Sequence, residues 1–220
     1  RLAPVLFQPL GIGSEPLIFL HAHAVGDRQF RSALQGLGIV DHRLHQRERV
    51  ARWHSFVSDC LGRDPRGLRD VVAFNSEGKP TVIQVSSVVG DKPFPTLYWL
   101  IDAALSLRID RLEAAGWIAR LQAEINHSEC FRRRMQSDHT AHIALRDSFI
   151  TAEERALLGD RGMLSALSQR GIGGISEPDR VRCLHTWYAA HLVVPNGIGD
   201  IVDSLFIDAS PRPMIAALSL

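Results

Sequence analysis

The chain reads as an α+β protein in which a small three-stranded antiparallel sheet packs with about five or six helices. Three observations predict this class. Two runs rich in β-branched residues, Asp70 to Phe74 and Thr81 to Val89, flank "NSEGKP", whose Gly78 and Pro80 suit a hairpin loop. A second turn, "GDKPFP", leads to "TLYWL", residues 96–100, as a third strand. From Asp102 onward the apolar period changes from two to that of a helix.

The helices follow in order. In "RERVARWHSFVSDCLG" the residues Val50, Trp53, His54, Val57 and Leu61 recur at helical spacing before Gly62, so His54 is expected to be partly buried in an apolar stripe. Asp102 is placed to cap a helix that carries Leu105, Ile109, Leu112 and Ala115 on one face. Gly116 punctuates before "WIARLQAEI" continues as a second helix, and a longer one is expected from about Ser128 to Phe149. Thr151 and Glu154 have the spacing of a capping box for "AEERALL". The last clear helix is expected to start near Ser176 or Glu177, with Pro178 in its first turn, and to run through "RCLHTWYAAHL". After "PNGIGD" the tail becomes irregular. The expected organisation is therefore an irregular N-terminal extension over 1–47, one globular domain over 48–205 and a tail over 206–220.

Composition bounds the function. The 220 residues are 45% hydrophobic and 22% charged, typical of a soluble globular protein. Because 25 basic residues nearly cancel 24 acidic ones, no global field draws the chain to nucleic acid or an anionic membrane, and neither is expected as a partner. The basic run Arg132 to Arg134 is read as a solvated helix face. The run "PLIFL" is too short for a signal-peptide core, and the three cysteines, Cys60, Cys130 and Cys183, form no CxxC pair. A reducing, cytoplasmic setting is expected.

Candidate chemistry concentrates in "RCLHTWYAAHL". At about 100° per residue, Leu184, Tyr188 and His191 share a core stripe, where a histidine is expected to be hydrogen-bonded to backbone or carboxylate. On the same wheel Cys183 and His185 project about 160° apart and cannot share an ion. A nucleophilic Cys183 would need a histidine from elsewhere, such as His139 or His142. Those two share a helical face, read as a solvated edge more readily than as a metal pair. Asp200 and Asp203 could supply carboxylates. His21 and His23 alternate as in a strand, a weak metal pair without a third ligand. The stretch "GIGGIS" lacks the lysine and the G-x-G-x-x-G spacing of a phosphate cradle.

Five motifs, "LGRDPRG", "FPTLYWL", "RLEAAG", "GIGGISEPDRVRCLH" and "NGIGD", occur in an order and spacing that resembles the bacterial family catalogued as domain of unknown function 501, over about Val50 to Val202. The resemblance implies no established activity. It does imply cysteines in the hairpin loop, after the "LYWL" strand and in the R-V-K-C-L-H run, which with the histidine would resemble a zinc or iron–sulfur site. Here Asn75 and Asp102 occupy the first two positions, so only Cys183 and His185 remain of that set. No cofactor is therefore expected, and Asn75, Asp102, Cys183 and His185 are expected to line a cleft near the sheet's end. The reading favours a non-catalytic binding or regulatory module with a protein or small-molecule partner. The alternatives are a small hydrolase-like enzyme using Cys183, His185, Asp102 and His142, and a metal-binding protein with a reduced ligand set.

Overall fold

The computed structural model describes residues 42–208. The expectations for His21, His23, the apolar run before them and the C-terminal tail beyond 208 lie outside the described residues. Within them are eight α-helices, a three-stranded sheet and a two-stranded ribbon, an α+β architecture. The helices are α1 (His42–Leu61), α2 (Ala103–Ala114), α3 (Trp117–His127), α4 (Glu129–Ser148), α5 (Ala152–Asp160), α6 (Leu164–Ser168), α7 (Leu184–His191) and α8 (Gly197–Asp208).

The main sheet has the order β1 (Leu68–Phe74), β2 (Pro80–Val85), β5 (Tyr98–Leu100), antiparallel throughout. All six residues of the central strand β2 are buried because both faces of the sheet are covered. One face packs Val71, Ile83 and Val85 against Val57 of α1, with Trp53, Phe56 and Leu61 at the margin. The other packs Val82, Leu97 and Tyr98 against Leu184, Trp187 and Tyr188, inside a core that also holds Ile109, Ile125 and Met135. That first face is thus closed by α1. Arg49 of that helix donates two hydrogen bonds, at 2.9 and 2.6 Å, to the buried Asp70 carboxylate and so fixes α1 on β1.

Several expected boundaries move. The second strand stops at Val85, and Val88–Val89 instead pairs with Lys92–Pro93 as the ribbon β3–β4. Its turn places Gly90 and Asp91 at φ of 55° and 60°, a backbone twist that closes a two-residue loop and ends the alternation. Helix α1 starts at His42, inside the segment expected to be irregular, and α8 extends to Asp208, past the expected domain end. The residues after "NGIGD" are helical rather than irregular: Asn196 caps the helix by accepting the Gly199 N–H at 2.9 Å, and Asp138 of α4 accepts the Gly197 N–H at 2.8 Å. His54 is exposed, its Nε2 3.4 Å from Asp64 Oδ1, outside the apolar stripe. The caps at Asp102 and Thr151 form as the spacing implies: Asp102 accepts the Leu105 N–H at 2.9 Å, and the Thr151–Glu154 box closes in both directions.

The arginine run is engaged rather than merely solvated. Arg132 donates to the carbonyls of Ile125 and Asn126, Arg133 pairs with Glu129, and Arg134 bridges Asp138 and Asp200. No helix among the described residues is long and apolar enough to cross a membrane.

Candidate metal centre

The helix that carries Cys183 and His185 starts later than periodicity implies, and this changes their geometry. Residues 178–183 are not helical; α7 begins at Leu184, and Cys183 is its N-cap with extended backbone, φ −153° and ψ 122°. A helical wheel therefore does not apply to Cys183. Its Sγ lies 3.8 Å from Nδ1 of His185, which corrects the expected divergence. Thr186 holds this turn by donating from its hydroxyl to the Cys183 carbonyl at 3.0 Å.

The third member comes from α2. Glu113 Oε1 accepts the Leu184 N–H at 2.6 Å, capping α7 in place of the cysteine, and stands 3.3 Å from His185 Nδ1. Ligand atoms of Glu113, Cys183 and His185 all fall within 4.8 Å of one another, and all three residues are half-buried. On the far edge of the imidazole, Nε2 faces the Ser106 carbonyl at 3.3 Å and Asp110 Oδ1 at 3.4 Å. Both are acceptors for a proton carried on Nε2; because Glu113 Oε1 beside Nδ1 is an acceptor as well, a cation between them is what would select the tautomer with its lone pair on Nδ1. Burial pushes the Cys183 thiol above its ordinary value; the backbone N–H of Thr186 works the other way, and the Glu113 charge adds to the rise.

This donor set suits a borderline cation. A tetrahedral zinc with bonds of about 2.0–2.3 Å separates its ligand atoms by about 3.3–3.7 Å. The Nδ1–Oε1 and Sγ–Nδ1 separations of 3.3 and 3.8 Å are close to those edges without movement of the backbone. One thiol is too few to hold an iron–sulfur cluster. Sulfur, nitrogen and oxygen from three residues would leave a fourth position of a tetrahedron open.

The other candidate residues are dispersed. Asn75 and Asp102 meet each other, with Asn75 Nδ2 donating to Asp102 Oδ2 at 3.4 Å, while Asn75 Oδ1 accepts the N–H groups of Glu77 and Lys79 and shapes the hairpin loop. Both sit at the sheet end of α2, about 16 Å of helical rise from Glu113. They are not members of the ligand group, so the four positions split into two pairs. His139 and His142 are 4% and 7% exposed, a buried face of α4 and not a solvated edge, because the loop around Ile172 folds across them. His139 Nδ1 accepts the Ile172 N–H at 2.9 Å. His191, at the core position expected, accepts the Asn196 N–H on Nδ1 and donates from Nε2 to Asp203 at 3.0 Å; Tyr188 donates to the same carboxylate at 2.7 Å.

Glu113 and Asp110 escaped the sequence reading. The signal that could have found them is the spacing Ser106, Asp110, Glu113, a polar stripe at i, i+4 and i+7 along one face of the helix.

Fold and centre together define an α+β protein whose thiol, imidazole and carboxylate meet where one helix caps another. The chain belongs to the family described as Protein of unknown function (DUF501), whose model matches residues 71–204, more than half of its length. Neither the curated proteins nor the solved structures compared with it give a match.

Proposed function

We propose that the protein is a non-catalytic binding module whose centre, Glu113, Cys183 and His185, takes a thiophilic divalent cation such as zinc. The observation that carries this reading is the convergence of three chemically matched ligand atoms within 4.8 Å from two helices far apart in sequence. The acceptors behind His185 support it, since a metal-binding imidazole is ordinarily oriented by a hydrogen bond on its other nitrogen. The charge around the thiol favours binding over attack: Cys183 stands beside a carboxylate, whereas a nucleophilic thiolate is usually assisted by a cation. The cation would tie the start of α7 to α2 and so stabilise the surface on which a partner is recognised. Three free cysteines, two of them exposed, support a reducing cytoplasmic setting.

A second reading, a small hydrolase-like enzyme, rests on the order Cys183, His185, Asp110, in which the imidazole touches the thiol on one edge and a carboxylate on the other. Titration with zinc and cobalt(II) separates the two. The binding reading requires one ion per chain, with cobalt giving thiolate charge-transfer absorption that is lost in Cys183→Ser. Failure to bind either ion at micromolar concentration, or binding that survives Cys183→Ser, removes it. Rapid, metal-independent alkylation of Cys183 that slows in His185→Gln would favour the enzyme.

A further inference from the structure

The near-zero net charge conceals a local imbalance on the side of the sheet that α1 covers. Two turns meet there. The turn "GRDPRG", residues 62–67, is pinned by its own backbone, with the Arg63 N–H donating to the Ser58 carbonyl at 3.2 Å and the Arg66 N–H to that of Asp64 at 2.9 Å. It is joined to the β3–β4 ribbon because the Gly67 carbonyl accepts the Ser86 N–H at 2.7 Å, and Gly67 lies so close to Val89 that a Cβ would stand 2.9 Å from its side chain. Lys92 pairs with Val89 across the ribbon, and Phe94, two residues on, lies edge-on to Trp99 with ring centroids 5.8 Å apart. Arg63 closes the circuit, its guanidinium carbon 5.3 Å from the centroid of the Trp99 ring. Arg63, Arg66 and Lys92 are exposed and meet no carboxylate among the described residues. The two acids of these turns are turned to other groups, Asp64 to His54 at 3.4 Å and Asp91 to Arg161.

We propose that this surface binds single-stranded nucleic acid, with a base stacked on the Arg63 guanidinium and the adjoining phosphates held by Arg66 and Lys92. The anionic partner follows from three unpaired cations on two joined turns. The base follows from the support under Arg63. A guanidinium laid over a half-buried tryptophan keeps its other face and its in-plane N–H donors free, and bases stack on such planes as they do on aromatic rings. The single strand follows from the same contact, since in a duplex the base faces are already stacked on one another. The near-zero net charge of the whole chain supplies no long-range attraction, so the binding is weak and depends on these few groups. The surface owes nothing to the metal centre, which caps a helix on the opposite side of the sheet.

The test is fluorescence anisotropy of a labelled single-stranded DNA of about 12 nucleotides titrated with the full chain, against the same sequence as a duplex and against labelled poly-glutamate. The single strand should bind in the micromolar range at about 50 mM salt, and the logarithm of its association constant should fall with that of salt with a slope of about −1.4, as two phosphate contacts require. Arg66→Glu combined with Lys92→Glu should weaken binding at least about tenfold and flatten the slope. Arg63→Lys, which keeps the charge and loses the plane, should weaken it about tenfold without changing the slope. Arg180→Glu, an exposed arginine beside the opposite core, should leave binding within about twofold. Should Arg63→Lys fail to fold, the exposed pair Arg66 and Lys92 still decides the matter, since their melting temperature should match that of the parent. Absence of binding at about 100 μM, equal affinity for the duplex or for poly-glutamate, or an equal loss in Arg180→Glu overturns the proposal.

Discussion

The imidazole of His191 lies on the backbone of Gly199 so closely that a Cβ there would stand 2.0 Å from the ring Cγ. The contact joins the end of α7 to the first turn of α8, and the hydrogen bonds from Asn196 and to Asp203 hold the ring in place. The same device recurs where His139 meets Gly171, with 2.0 Å from a Cβ to Nδ1. Gly199 of "NGIGD" and Gly171 of "GIGGIS" thus serve close packing against histidines.

Gly199→Ala and Gly171→Ala should each destabilise by about 3 kcal/mol, the upper range for overpacking a filled core. Urea denaturation checks this. His191→Ala combined with Gly199→Ala should cost less than the sum of the single changes, because the double variant removes the clash that the single one creates.

Burial holds His139 at about 4 and His142 at about 3, with Arg146 and His139 adding to the second. Unfolding restores both to about 6.5, so below that pH the unfolded state binds protons that the folded state refuses. Stability should be at its full value above pH 6.5 and fall as the pH drops toward 4, by about 1.4 kcal/mol per unit for each histidine. Asp138, pushed up by burial, works in the opposite sense, since its folded form takes up a proton more readily. Thermal melts across this range should show a shallower decline in His142→Phe than in the parent.

Arg146 is sealed in the core without a carboxylate partner among the described residues. It donates instead to three carbonyls, those of Pro95, Leu167 and Arg170, and thereby ties the approach to β5 to α6 and its following loop. Arg146→Met should cost about 3–5 kcal/mol, because the buried acceptors lose their donor. Arg146→Lys should recover only part, as an ammonium lacks the planar fork that spans them. Chemical denaturation measures both.

Asp110→Ala should leave folding stability nearly unchanged while lowering zinc affinity about 10–100-fold, the usual effect of removing an acceptor behind a metal-binding imidazole. Glu113→Ala should do more, removing a proposed ligand and also the cap on Leu184, with a loss of about 1 kcal/mol in the absence of metal. Competition titration and metal-free melts separate the two effects.

Local chemistry was readable along the chain because its partners lie within a few residues. Asp102 and Leu105, Thr151 and Glu154, and the Asn75 loop closed on Lys79 follow from spacing alone. So does the core stripe Leu184, Tyr188, His191, since periodicity reports which face a helix buries. The candidate centre was not readable in the same way. Cys183 and His185 converge only because α7 starts at Leu184, and it starts there because Glu113, 71 positions earlier, supplies the acceptor for its first N–H. Likewise, whether His142 faces water or the core depends on where residues 172 and 194–196 cross α4. Hydrophobic pattern, turn residues and caps determined the elements; the meeting of side chains from distant elements, which no local energy term encodes, was decided by the tertiary packing.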